Sequence, residues 1–272
     1  MFARRTLILG ALTSIPAALW ARVSGLTLIN IGGETMNAVV HRAESRGAAD
    51  HGWLKSHHSF SFASYYNTER MGFGLLRVLN DDQVAPKKGF GTHPHQNMEI
   101  VSIPLSGALQ HKDSEGNEGI IKHGEVQLMS AGTGVYHSEY NASQEEDVRF
   151  LQIWVLPEKE NIAPRYDQKL FDVSKRQNRW QTVVSPIGSD EDAVAINQQA
   201  WFSMTDLDQG QEISYSQKGS GTGVYLFLLE GELKVGQEVL TRRDAIGLAD
   251  ASSVKIKAEK ASQVLAIEVP LA

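Results

Sequence analysis

The 272-residue chain contains no cysteine. Disulfides, thiolate metal sites and cysteine nucleophiles are therefore excluded together. A surplus of positive charge is also missing: 26 Lys and Arg stand against 32 Asp and Glu, a formal net charge of −6. With no basic excess to neutralise phosphates, nucleic acid is not expected as a direct partner. Long apolar runs are scarce. The one near the start, from Thr6 to Trp20, is short for a membrane span and contains Pro16, so no membrane association is expected of the mature protein. Histidine is absent from everything after position 137. All nine (His41, His51, His57, His58, His93, His95, His111, His123, His137) lie at or before position 137, which assigns any imidazole-based metal or acid–base site to the first half.

The first 36 residues stand apart. A basic start followed by an apolar run has the form of a secretory leader, and Arg4-Arg5 resembles a twin-arginine signal. No A-x-A cleavage site follows, however. Met36 opens MNAVVHRAESRG, which reads as an ordinary N-terminus, and Gly32-Gly33-Glu34 can be encoded by a purine-rich stretch of the kind a ribosome binds. The reading adopted is a start assigned too early on a cytoplasmic protein. A genuine leader and a periplasmic location are the alternative. Residues 1–36 are set aside from the fold on either reading.

Beyond them the pattern is all-β. GFGLLRVLN, MEIVSIPLSG, EGIIKHGEVQLM and VRFLQIWVLP are short apolar or alternating runs bounded by Gly, Asn, Asp and Pro, and SEGNEG reads as a hairpin tip. Many short strands at close spacing suggest a barrel or sandwich. The polar, proline-bearing stretch from Pro157 to Trp180 reads as a linker. Beyond it VYLFLLEGELKVGQEVL and its continuation alternate with period 2. Leu105-Ser106-Gly107-Ala108-Leu109 matches Leu229-Glu230-Gly231-Glu232-Leu233, and in that register His93 and His95 fall opposite Gln217 and Gly219. The expected organisation is an extension over 1–36, a metal-binding barrel over 37–160 and a degenerate barrel without ligands over 161–272.

Two short motifs carry chemistry. In Thr92-His93-Pro94-His95 the histidines are two apart, which in a strand places both rings on one face. In Tyr136-His137-Ser138-Glu139 the spacing recurs with an imidazole and a carboxylate. Two strands that each present two ligands inward converge inside a small barrel, and such mixed sites suit divalent ions. Read in isolation, each motif is also compatible with exposed residues at a strand start or edge.

The context of these motifs resembles the two cupin motifs: GTHPHQNME running on to Gly107, then Gly124, Ser130-Ala131-Gly132, His137 and Asn141. Ser130 stands where that pattern usually has proline, the spacing before His137 is longer, and Glu139 follows His137 by two. HPH with a later H-x-E, the upstream HGWLKSHHSFSFASYYN and the segment MSAGTGVYHSEYN are similar to the pirins, bicupins that include the pirin-like quercetin 2,3-dioxygenases. The likeness spans Met36 to the C-terminus, is strong through Trp154 and is loose beyond Trp180. It implies that His93, His95, His137 and Glu139 are metal ligands. It also implies a dioxygenase that opens flavonols such as quercetin with loss of carbon monoxide, with Glu139 as ligand and base. The ion expected is iron(II), with nickel, manganese, copper or zinc as alternatives. The expected partners are an aromatic small molecule and dioxygen. A metal-dependent regulatory protein acting through a protein partner is the competing function, and a cupin isomerase a third.

Glu99 stands at the carboxylate position that many other cupins use and is read as orienting a ligand imidazole, with a solvated charge as the alternative. Phe60, Phe62, Tyr65, Phe90, Met98 and Met129 are the candidates for an apolar mouth. Of adjacent His57 and His58 at most one faces the site, as a polar gate or a surface hydrogen bond. His111 and His123 are expected to be exposed.

Overall fold

The computed structural model describes residues 27–31, 34–189, 192–249 and 252–271. The expected leader or early start therefore lies mostly outside the described residues. Among the described residues no helix is long and apolar enough to cross a membrane. The chain begins with β1 (Thr27–Ile31) and β2 (Glu34–His41). Next come β3 (Gly47–Asp50), β4 (Leu54–His58), β5 (Leu76–Val84), β6 (Gly89–His95), β7 (Glu99–Ser106), β8 (Ala108–Asp113), β9 (Glu118–Lys122), β10 (Glu125–Ser130), β11 (Val135–Asn141), β12 (Val148–Val155) and β13 (Arg165–Leu170). The remainder is β14 (Gln181–Pro186), β15 (Val194–Ile196), β16 (Trp201–Leu207), β17 (Glu212–Ser216), β18 (Thr222–Val235), β19 (Glu238–Thr241), β20 (Ala245–Ala249) and β21 (Ser253–Pro270).

The first half forms two facing sheets, a seven-stranded one ordered β13-β10-β7-β12-β5-β4-β3 and a four-stranded one ordered β6-β11-β8-β9. The second half is a ten-stranded sheet in which β18 and β21 each bend and pair along two segments. The all-β, two-unit architecture is as expected. The sheets exchange strands across the expected boundaries. β2 pairs with β20 and so joins the second half, and β1 pairs with β2, so the segments 27–31 and 34–36 belong to the fold. The stretch expected as a linker holds β13, which pairs along its length with β10. Its polar sequence suits a half-buried edge strand, which alternation of apolar residues does not reveal.

The seven-stranded sheet is the centre of the molecule, and the period of two decides what each face does. In β12, Leu151, Ile153 and Val155 join a core shared with Phe202, Tyr225, Phe227 and Ile267 of the second half. The intervening Phe150, Gln152 and Trp154 face the four-stranded sheet. On that side Phe150, Val148 and Val84 pack on Leu109 and Ile121, while Trp154, Val78, Ile100 and Met129 pack with Met98 and Val135. Between these apolar layers lies a polar row. Cross-strand registers place His58, Asn80, Gln152, Ser102, Gln127 and Gln168 side by side over β4, β5, β12, β7, β10 and β13.

Glycine shapes two of the corners the motifs predicted. Gly107, between β7 and β8, has φ +74°, and Gly231, the matching glycine of the repeat, has φ +97°. Both conformations are open to glycine and costly for residues with a Cβ.

Candidate metal centre

β6 and β11 are antiparallel neighbours, with His137 opposite His93 and Val135 opposite His95. Alternation turns all three rings to the inside of the first barrel. Their centroids lie 4.9 Å (His93–His95), 4.4 Å (His93–His137) and 4.9 Å (His95–His137) apart, and one nitrogen of each falls within 4.8 Å of the others. A register shift between His137 and Glu139 leaves Glu139 facing inward on the same strand. Glu139 joins His137 in a second such group, with His111 in place of the β6 histidines. The two groups share His137.

The hydrogen bonds show which donors are free. His93 gives its Nδ1–H to the Gly91 carbonyl at 2.8 Å, which leaves Nε2 with an open lone pair. His137 is 2 % exposed, and neither of its ring nitrogens has a hydrogen-bond partner. A buried imidazole without a partner is costly, and a cation among the three rings would supply one. Burial, reinforced by the adjacent rings, lowers the pKa of His95 to about 3 and that of His137 to about 2. Both are therefore neutral near pH 7, the form that ligates metals. The donor set fits a divalent ion.

Glu139, 2 % exposed, is held from the opposite sheet. Gln152 Nε2 donates to its Oε2 at 2.8 Å, and Ser102 Oγ lies 3.3 Å from its Oε1.

His111 differs from expectation. It is completely buried, with its ring 5.3 Å from that of His137 and 5.0 Å from that of Tyr166. Its Nε2–H points to Asp113 Oδ2 at 3.2 Å, and its Nδ1 accepts from Gln127 Nε2 at 3.1 Å. Both nitrogens are thus engaged within the protein. Its inward place follows from pairing opposite Glu139, a long-range register that the sequence around His111 does not show. His123 is exposed, as expected.

Glu99 is also corrected. It sits on the far face of β7 from Ile100 and Ser102, and no imidazole bonds it. Its Oε2 accepts from Ser130 Oγ at 2.7 Å and from the backbone N–H of Asn197 at 3.1 Å. It therefore ties the two halves together, and burial raises its pKa. The residue sits one place out of phase with the inward positions of its strand.

Of the expected apolar mouth, Met98, Met129 and Phe62 lie in the cluster around Trp154, whose indole meets the edge of His95 at 4.9 Å. Phe60 is packed against His41 and Tyr225 between the halves. Phe90 packs on Trp53 beside the opposite apolar layer. Tyr65 stacks on His58, 6.4 Å between centroids. His58 itself is buried and donates to Asn80 Oδ1 at 2.8 Å, while His57 is exposed. Trp154, Gln152, Ser102 and Gln127 are the site neighbours that motif reading missed. Alternation along β12, anchored on Trp154, was the available signal. A cavity of about 90 Å³ lies elsewhere, between the halves, lined by Phe171, Arg176, Met204 and Arg243 among others.

In the second half, the strand pair corresponding to β6 and β11 is β17 with the start of β21. It carries Ile213, Tyr215, Val254, Ile256 and Ala258, all packed in an apolar core. Gln217 bonds to Thr222, and the Gly219 N–H donates to Glu268. No metal-ligating cluster occurs there among the described residues.

Two β-units, one of them with converging histidines and a carboxylate beside them that fit a divalent metal, define a bicupin. Residues 39–155 match the Pirin family model, and residues 182–269 match that of the quercetinase C-terminal cupin domain. The chain belongs to the pirin family. It is 38 % identical over 235 residues to the quercetin 2,3-dioxygenase of Escherichia coli strain K12, covering 85 % of this chain and 98 % of that protein. It is 39 % identical over 222 residues to a pirin-like protein of Caulobacter vibrioides, covering 82 % and 95 %. The crystal structure of bacterial pirin YhhW from Escherichia coli in complex with nickel(II) superimposes with a TM-score of 0.80 at 38 % identity, over 86 % of this chain and 99 % of that one.

Proposed function

We propose that this protein is a metal-dependent dioxygenase that opens a flavonol such as quercetin with dioxygen and releases carbon monoxide. In this reading His93, His95, His137 and Glu139 hold one divalent ion. The observation that carries it is the pair of unpartnered nitrogens on buried His137, set among rings whose donor atoms lie within 4.8 Å. The relatives named quercetin 2,3-dioxygenase and the nickel(II) complex support it. Iron(II) is the ion we assign, since a histidine–carboxylate site with open positions suits it for dioxygen chemistry; nickel, manganese, copper and zinc also fit the donors. When bound, the ion supplies a Lewis acid that acidifies the substrate's hydroxyl.

The residues do the rest. His93 is fixed in one tautomer by its bond to Gly91, which aims Nε2 inward. Glu139 takes the proton of the substrate hydroxyl at Oε1, the oxygen with the longer of its two hydrogen bonds. Trp154, Phe62, Met98 and Met129 offer an apolar wall beside His95 that excludes water and matches an aromatic ring system. The second half covers the back of the seven-stranded sheet.

The test is elemental analysis of protein purified without added metal, together with oxygen uptake in the presence of quercetin. About one divalent ion per chain and quercetin-dependent oxygen consumption are expected. Metal-loaded protein that consumes no oxygen with any flavonol would overturn the enzymatic reading.

A further inference from the structure

We propose that Gln152, with Ser102 beside it, is a positioning residue that fixes the Glu139 carboxylate and so sets how tightly the site holds its metal. This inference rests on Glu139 being a metal ligand. Gln152 is only 8 % exposed and stands between Phe150 and Trp154 on the inward face of β12. A buried primary amide is unfavourable unless its groups are bonded. The bonds of Gln152 run to two residues. Its Nε2 donates to Glu139 Oε2 at 2.8 Å, and its Oε1 lies 3.1 Å from Ser102 Oγ. Ser102 in turn lies 3.3 Å from Glu139 Oε1. Gln152 and Ser102 are direct cross-strand partners on β12 and β7. They form one rigid platform, and each contacts a different oxygen of the same carboxylate from the sheet opposite the one that carries it.

The second half serves as an internal control. The inward positions of its counterpart strands are Val264 and Ala266 on β21 and Val224, Leu226 and Leu228 on β18. The half without a histidine cluster has no amide and hydroxyl at these positions. The one inward carboxylate of that region, Glu268, is fully bonded to Tyr215, Thr222 and the Lys218 and Gly219 amides. The polar platform thus occurs with the histidine cluster and is replaced by aliphatic packing where the cluster is absent. A packing role alone gives no reason for this difference.

A carboxylate ligand with one oxygen held by the Gln152 amide, and the other beside a hydroxyl whose single proton is shared between it and Gln152 Oε1, has fewer orientations to lose when a cation arrives, and such outer partners typically contribute about 10- to 100-fold in metal affinity. The experiment is a double-mutant cycle on the full chain, read as nickel(II) affinity by titration of the metal-free protein. The variants are Gln152→Leu, Glu139→Ala and the pair combined, with folding checked by circular dichroism. Gln152→Leu is expected to weaken nickel binding about 10- to 100-fold and to add nothing further in the Glu139→Ala background. Ser102→Ala, the smaller change, should weaken binding in the same direction, with Ser102→Thr restoring it, and serves in place of Gln152→Leu should that variant fold poorly. Unchanged nickel affinity in both single variants, or an equal loss with and without Glu139, overturns the proposal. If Glu139→Ala alone leaves nickel affinity intact, Glu139 is not a ligand and the proposal falls with that part of the functional reading.

Discussion

The Oε2 of Glu99 accepts the backbone N–H of Asn197 at 3.1 Å, across the boundary between the two halves. Around this bond the seven-stranded sheet presents Val101, Ile103, Leu128, Leu151 and Ile153 to the second half, and Arg243 reaches back to Asp81 at 2.8 Å. A chain ending at Leu156 would lose β13 and uncover this apolar face. It is expected to be insoluble or aggregated on expression. A soluble, monomeric truncated chain that retains the metal would contradict this assignment of the interface.

The histidine cluster makes a direct demand on metal content. On the proposed ligand set, His95→Ala and His137→Ala should each abolish most metal retention, because each takes away a donor that no neighbour replaces. His111 cannot substitute while Asp113 and Gln127 engage both its nitrogens. Elemental analysis of the purified variants checks this. Full occupancy in both would remove these rings from the site.

Glu139→Gln keeps the shape of the side chain and takes away its charge and basicity. Metal binding should weaken, and flavonol turnover should fall further, by about 100-fold or more at matched metal occupancy. Turnover equal to that of the parent protein would exclude Glu139 as the base.

Two buried groups outside the proposed ligand set give opposite pH signatures in the metal-free protein. Burial lowers the pKa of His41 to about 3, so between that value and 6.5 the unfolded chain binds a proton that the folded one does not. The stability His41 confers is present above 6.5 and is lost as the pH falls through this window. Burial raises the pKa of Asp82 to about 7, so between 3.8 and 7 the folded state holds the extra proton and its contribution is lost as the pH rises. His41→Gln should therefore gain on the parent as the pH drops from 6.5, and Asp82→Asn should gain as it climbs from 3.8 to 7. Each difference is expected to grow by at most about 1.4 kcal/mol per pH unit. Urea unfolding across pH 4–7 checks the two signs, and parallel curves for parent and variants would refute both.

The parts legible in the sequence were those written in local patterns. Alternation gave most of the strands of the first half, SEGNEG gave the turn between β8 and β9, and the two i, i+2 motifs placed His93, His95, His137 and Glu139 on inward faces. What stayed hidden depends on register between distant strands. The burial of His111 follows from its pairing opposite Glu139, and Glu99 is misread because a carboxylate at its place in the cupin pattern is expected to face the histidines, whereas the pleat of β7 turns its side chain the other way. β13 was concealed because an edge strand can remain polar, and β1 and β2 because a segment resembling a leader was set aside.

The seven floor strands carry two messages in alternate letters. On β12 the residues Phe150, Gln152 and Trp154 speak to the metal barrel, and Leu151, Ile153 and Val155 to the other half. Substitutions can edit one message and leave the other readable. Deleting one residue from the middle of β12 would transpose them, sending Gln152 or its replacement into the joint between the halves and an aliphatic side chain beneath Glu139. Over evolutionary time such strands should accept exchanges of residue and resist changes of length, so the variation in length among related chains should gather in the connecting loops.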